Sequence, residues 1–133
     1  MAFSFDFGLT DGILRCRLEG RVTDDVLKEF FRIGAQHAIR TRPTAGVVDL
    51  SEVSSFEVSS PVIERLAKSP PVLPDPKLRR VIIAPSPEMY GMMRMFEIEG
   101  EQTRPGIHVV RTKQEAWAIL SVQEPSFNRL DIM

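Results

Sequence analysis

The stretch AGVVDLSEVSSFEVSSP, residues 45–61, decides the fold. Ala45 to Leu50 is short and apolar on both alternating faces. A strand buried between two layers of a parallel sheet has that pattern. Ser51 to Val58 is more polar and reads as a connection. Ser60-Pro61 then reads as a helix start, a serine cap followed by proline at the first helical position. Strand, connection and helix make one βα step, and the flanking sequence shows how often it repeats.

Downstream, Val62, Ile63, Leu66 and Ala67 supply the apolar stripe of that helix. Ser69 to Pro76 carries Pro70, Pro71, Pro74 and Pro76, which excludes regular helix and central strand and makes an ordered loop. Leu78 to Ala84 holds a second buried strand. Ser86-Pro87-Glu88 repeats the serine–proline device and opens a helix to about Glu99, with Gly100 as its stop. Ile107 to Val110 is the last strand. Thr112 and Glu115 form a capping box for a helix through Ala116, Trp117, Ile119 and Leu120. From Gln123 the chain reads as a loosely held tail.

Upstream, Phe3, Phe5, Phe7 and Leu9 alternate with Ser4, Asp6 and Gly8, the period of a half-buried strand. Thr10-Asp11-Gly12 gives a turn, and Leu14, Cys16 and Leu18 then alternate with Arg15, Arg17 and Glu19. The pair is a β-hairpin, and its polar faces place it away from the buried centre of the sheet. Thr23 caps a helix over about Asp24 to Thr41, with Leu27, Phe30, Phe31, Gly34 and Ala38 at helical spacing and Pro43 beyond its end. The order is β-β-α-β-α-β-α-β-α. It predicts one α/β domain over residues 1–122, with 123–133 as the tail. Its sheet is five-stranded, mixed and mostly parallel, with an N-terminal hairpin and right-handed crossovers. Val47, Val48, Val81, Ile82 and Ile83 should be almost fully buried, on strands inside the sheet.

Composition narrows the function classes. The chain has 133 residues, 43% hydrophobic and 26% charged, with 17 Lys plus Arg against 18 Asp plus Glu and a net charge of −1. A dedicated nucleic-acid binder carries a basic excess that is missing here. One cysteine, Cys16, excludes an internal disulfide. No apolar run approaches the roughly 18 residues of a membrane span, and the first residues lack a signal pattern. The expected location is cytoplasmic.

Catalytic constellations are scarce. His37 falls in a helix and His108 in a strand, outside any paired metal-ligand pattern, so no metal or cofactor is expected. Cys16 points with Leu14 and Leu18 as a small buried hydrophobe. The glycines are dispersed, without a phosphate-binding loop. Glu97 and Glu99 lie about 200° apart around a helix and cannot form an acid–base pair. Arg40, Arg42, Arg79 and Arg80 read as solvated or dipole-matching charges, with an anion site as the alternative if the fold gathers them.

Residues 47–60 carry a more specific likeness. A buried strand ends in Asp49-Leu50-Ser51, a short spacer follows, and the pair Ser59-Ser60 opens a helix. This resembles the STAS domains, the family of bacterial anti-sigma factor antagonists and of the cytoplasmic domains of sulfate transporters. That family's pattern is an apolar strand ending Asp-Leu-Ser, a spacer, then Asp-Ser-Ser-Gly at a helix start. Here Val58, with Glu57 beside it, takes the aspartate position, and Pro61 takes the glycine position. The element order agrees over about Phe3 to Val122. The resemblance implies a βα superhelix with strands in sequential order and helices mostly on one side. It also implies that Ser60 matches the serine phosphorylated by a partner kinase. As a serine before proline, Ser60 equally fits an ordinary helix cap. The departures from the pattern also resemble a divergent branch of this fold, related to the lipid-binding CRAL-TRIO domains.

Three function classes follow. One is a non-enzymatic, STAS-like regulatory module that binds another protein, with Ser59 and Ser60 as contact candidates. The alternative is a carrier or sensor of a small apolar or acyl ligand, suggested by Met89, Met92, Met93 and Met95, because methionine adapts to irregular apolar shapes. An enzyme is the least supported. On the helix from Pro87, Met89, Met92, Met93 and Phe96 form one core stripe. Tyr90, Met95 and Ile98 lie outside it and need a further partner, either the proline-rich loop or another protein surface such as a second copy of the chain.

Overall fold

The computed structural model describes residues 2–73, 75 and 77–130. The elements are β1 (Phe3–Phe7), β2 (Ile13–Thr23), α1 (Asp24–Thr41), β3 (Ala45–Glu57), α2 (Ser60–Lys68), β4 (Arg79–Ile83), α3 (Pro87–Glu99), β5 (Ile107–Val110), α4 (Lys113–Leu120) and β6 (Asn128–Leu130). They build a six-stranded sheet in the order β5-β4-β3-β2-β1-β6. The β2–β3, β3–β4 and β4–β5 pairs are parallel, while β1 pairs antiparallel with β2 and β6. The mixed, mostly parallel α/β sheet and the sequential order of β1 to β5 match the expectation.

The sheet has six strands and not five. Asn128–Leu130, read from sequence as part of a loose tail, pairs with Phe5–Phe7 of β1. Two inferences about the hairpin change with it. β1 and β2 are interior strands, and their polar face is covered by its own ion cluster. Asp6 is buried and lies 3.1 Å from Arg15 and 3.1 Å from Arg129. Arg17 approaches to 3.0 Å through Nε, but its aligned hydrogen bond is the longer one from Nη2, at 3.4 Å. The Arg15 guanidinium also stacks over the Phe127 ring, 4.0 Å from its centroid. Leu9 leaves the alternating pattern: it lies in the turn beyond β1 and is exposed. Gly12 closes that turn at φ +70, a conformation that disfavours side chains.

β3 is also longer than its apolar part. It runs to Glu57 by pairing with all of β2, through two one-residue bulges. Arg17 pairs with Asp49 and Glu19 with Glu52; Gly20 pairs with Val53 and Arg21 with Ser55. At the first bulge the Asp49 carboxylate accepts from the Ser51 N–H at 2.9 Å, which satisfies a donor that the ladder leaves out.

Two cores flank the sheet. The larger joins Phe5, Leu18 and Ile82 to apolar residues of α1, α2 and α3. The smaller packs Val47, Val81 and Ile83 against Ala116 and Leu120 of α4. Val47, Val81, Ile82 and Ile83 are buried as expected. Val48 is only half-buried, because it faces a cavity under the larger helical layer. Among the described residues no helix is long and apolar enough to cross a membrane.

Candidate functional site

The strand–serine–helix segment places Ser59 and Ser60 at the exposed end of β3, at the start of α2. The sequence reading of the cap is off by one residue. Ser59 occupies the cap position, Ser60 is the first helical residue and Pro61 the second, and no side chain caps the helix. The cause lies in α1. Asp24, in its first turn, accepts from the Ser59 N–H at 2.8 Å and from the Ser59 hydroxyl at 3.0 Å. That holds the Ser59 hydroxyl away from the α2 backbone. Ser60 stays exposed, and its hydroxyl makes no hydrogen bond among the described residues.

A carboxylate therefore does stand beside the serine pair, but it comes from Asp24 and not from residue 57 or 58. Val58 is buried in the main core. Glu57 is committed elsewhere: Arg21 donates to both its oxygens at 2.8 Å, and the Ser55 hydroxyl donates at 2.7 Å. The Arg21 hydrogen bonds first, and Ser55 second, hold the Glu57 carboxyl down at about 2. Asp24 could not be found from the sequence motif, because it is 35 positions from Ser59.

The other proposed contact residues lie on α3. Tyr90 and Met95 are half-buried against the main core, with the Arg111 guanidinium 5.6 Å above the Tyr90 ring. Ile98 is 60% exposed. Among the described residues no hydrogen bond or ring contact joins these three to Ser59 or Ser60.

A second feature is an apolar cavity of about 100 Å³ beneath the helical layer. Phe5, Cys16 and Val48 of the sheet, Met93 and Phe96 of α3, and Leu73 of the proline-rich loop line it. Leu73 lies where a side chain on residue 46 would be: a Cβ on Gly46 would come within 2.8 Å of its Cδ1. Burial first, and the Asp6 charge second, push the Cys16 thiol up to about 12, so it stays protonated.

Arg80 and Arg104 also line this cavity. The expectation of a solvated Arg80 fails, since it points with Ile82 toward the larger core and is buried. Its Nη1 donates to the Leu78 and Pro105 carbonyls at 3.0 and 3.1 Å. Its Nη2 donates to the Leu73 carbonyl and, at 2.6 Å, to that of Asp75. Arg104 donates to the carbonyls of Leu66, Ala67 and Ser69 at 2.8, 2.5 and 2.9 Å, closing the end of α2. It also stacks 4.9 Å above the Phe96 ring.

His37 is buried against Phe5, neither ring nitrogen has a hydrogen-bond partner among the described residues, and burial followed by the Arg40 charge lowers its pKa. It stays neutral, away from the serine pair. His108 is exposed. Among the described residues no group of acidic, histidine or cysteine side chains is arranged to hold a metal.

No protein-family model and no curated protein sequence matches the chain. Solved structures do. The anti-sigma factor antagonist SpoIIAA in its unphosphorylated form superposes with a TM-score of 0.56 at 16% identity, over 89% of this chain and 94% of that one. The Bacillus cell fate determinant SpoIIAA in its phosphorylated form gives 0.54 at 20% identity, over 90% of this chain and 99% of that one. The chain thus has the STAS fold that the strand–serine–helix segment suggested, over most of its length.

Proposed function

We propose that this STAS-fold domain is a non-enzymatic regulatory module. It binds a protein partner through the start of α2, and phosphorylation of Ser60 regulates that binding. The observation that carries the reading is the division of labour between the two serines. Ser59 is tied to Asp24, whereas Ser60 is exposed in the first helical turn with its hydroxyl free. A phosphate there would meet the unpaired N–H groups and positive end of the helix. SpoIIAA, with the same fold, is an anti-sigma factor antagonist that exists in unphosphorylated and phosphorylated forms. Exposed Ile98, with the half-buried Tyr90 and Met95 of the same helix, is a second contact surface, for the partner or for another copy of the chain. Phosphopeptide mapping of the protein from its own cells tests the modification. A phosphorylated fraction at Ser60 supports it, and Ser60 unmodified under all growth conditions contradicts it.

A second reading, a sensor of a small apolar ligand, is favoured by the cavity. Its apolar lining is continuous from the sheet to α3, and Leu73 closes it from a loop. A ligand there would touch α3 and the loop following α2, which gives it a route to the proposed partner surface.

A further inference from the structure

The rings of Phe31 on α1 and Phe96 on α3 meet with their centroids 6.0 Å apart, and both line the cavity. Its floor is the centre of the sheet. Gly46 and Val48, on the helix-covered face of β3, stay partly uncovered although β2 and β4 flank their strand. Small residues make the room. Gly34 stands in the interior of α1 and Gly46 in the interior of β3, places where glycine weakens a helix or a strand. Both line the cavity, as does Cys16 of β2. The lining carries almost no polar surface. Arg80 and Arg104 reach its edge, but their guanidinium hydrogen bonds go to backbone carbonyls, and the Arg80 Nε is buried without exposed surface. A carboxylate, an ammonium or a hydroxyl placed there would lose its water and gain no partner, which is costly. An apolar cavity of this kind stays dry and takes up apolar guests.

We propose that the cavity binds a small hydrocarbon, a molecule without any hydrogen-bonding group. This rests on the ligand-sensor reading and names its ligand class. Volume sets the size. An apolar cavity of about 150 Å³ takes a benzene ring. At about 100 Å³ this one suits a guest of about four carbons by the same measure. Leu73 is the part of the lining placed to respond. Its Cδ1 fills the space over Gly46, and its carbonyl accepts from the Arg80 guanidinium together with that of Asp75. A guest pressing on Leu73 therefore acts on the loop that follows α2, whose first carbonyls Arg104 holds.

The test is titration of the full chain with isobutane under pressure, with 2-propanol, which carries a hydroxyl in place of one isobutane methyl, and with benzene. Methyl chemical shifts of Leu73, Ile82 and Met93 report on the cavity, and Leu120, in the other core, is the reference. Isobutane should saturate the first three shifts and leave Leu120 unmoved. Its dissociation constant should be at least about tenfold lower than that of 2-propanol, the effect of burying a hydroxyl without a partner. Benzene should bind more weakly than isobutane. Cys16→Leu, which adds bulk to the lining, should abolish the isobutane shifts while the folded spectrum persists. Should that variant unfold, the three-ligand series on the wild type still decides the matter. Equal binding of isobutane and 2-propanol, or tighter binding of benzene, would overturn the small-hydrocarbon assignment and leave the apolar-ligand reading standing. Saturation by none of the three, or shifts unaffected by a folded Cys16→Leu, would overturn both.

Discussion

Two helices of this domain open on the dipeptide Ser-Pro, and the structure uses it differently in each. At α3, Ser86 is the cap, its hydroxyl accepts from the Met89 N–H at 3.1 Å, and Pro87 is the first helical residue. At α2 the same dipeptide is displaced one residue into the helix, because Asp24 holds the preceding serine. The hydroxyl that caps α3 has as its counterpart, at α2, a hydroxyl facing solvent. One dipeptide thus caps a helix at one site and leaves its hydroxyl exposed at the other, and a side chain from a third helix makes the difference.

Substitutions can break that contrast. Asp24→Ala has the largest expected effect, about 1.5 kcal/mol of destabilisation. It removes a charged acceptor of two hydrogen bonds and an acid from the first turn of α1. Denaturant unfolding reads it, and a loss below about 0.5 kcal/mol would mean that Asp24 does not organise the α2 start. Ser86→Ala comes next, at about 1 kcal/mol for a lost cap. Ser60→Ala should change stability least, by under about 0.5 kcal/mol, as for an exposed residue without a partner. If Ser60→Ala costs as much as Ser86→Ala, Ser60 is a cap after all and the contrast disappears.

The parts of this molecule legible in its sequence are those set by local period. Val81, Ile82 and Ile83 announce an interior strand, and Thr23, Ser86 and Thr112 announce helix starts, each with a hydroxyl accepting from the first turn. The second half of β3 was hidden, because Ser51, Ser54 and Ser55 are poor strand formers and only pairing with β2 through two bulges holds them extended. β6 was hidden for a similar reason. Asn128, Arg129 and Leu130 carry no period, and their place is fixed by β1 and by the reach of Arg129 to Asp6. The serine pair itself was legible. What distinguishes its members was not, because Asp24 belongs to a different helix. The cavity and its arginines were equally out of sight, since Arg80 alternates into the core and its partners are carbonyls of irregular loops, one of them 25 positions away.

The central claim is that the start of α2, and not the start of α3, carries the regulated contact. The direct measurement starts with capture of a specific protein partner by this chain from extracts of its own cells, and failure to capture one contradicts the account. Once purified, that partner is titrated against the wild type, Ser60→Asp and Ser86→Asp. Aspartate is itself a good helix cap, so Ser86→Asp should keep both the fold and the wild-type dissociation constant. Ser60→Asp, placing negative charge where a phosphate would sit, should raise that constant at least tenfold with the fold intact. Equal affinities for all three proteins, or the same loss in both variants, would contradict the account.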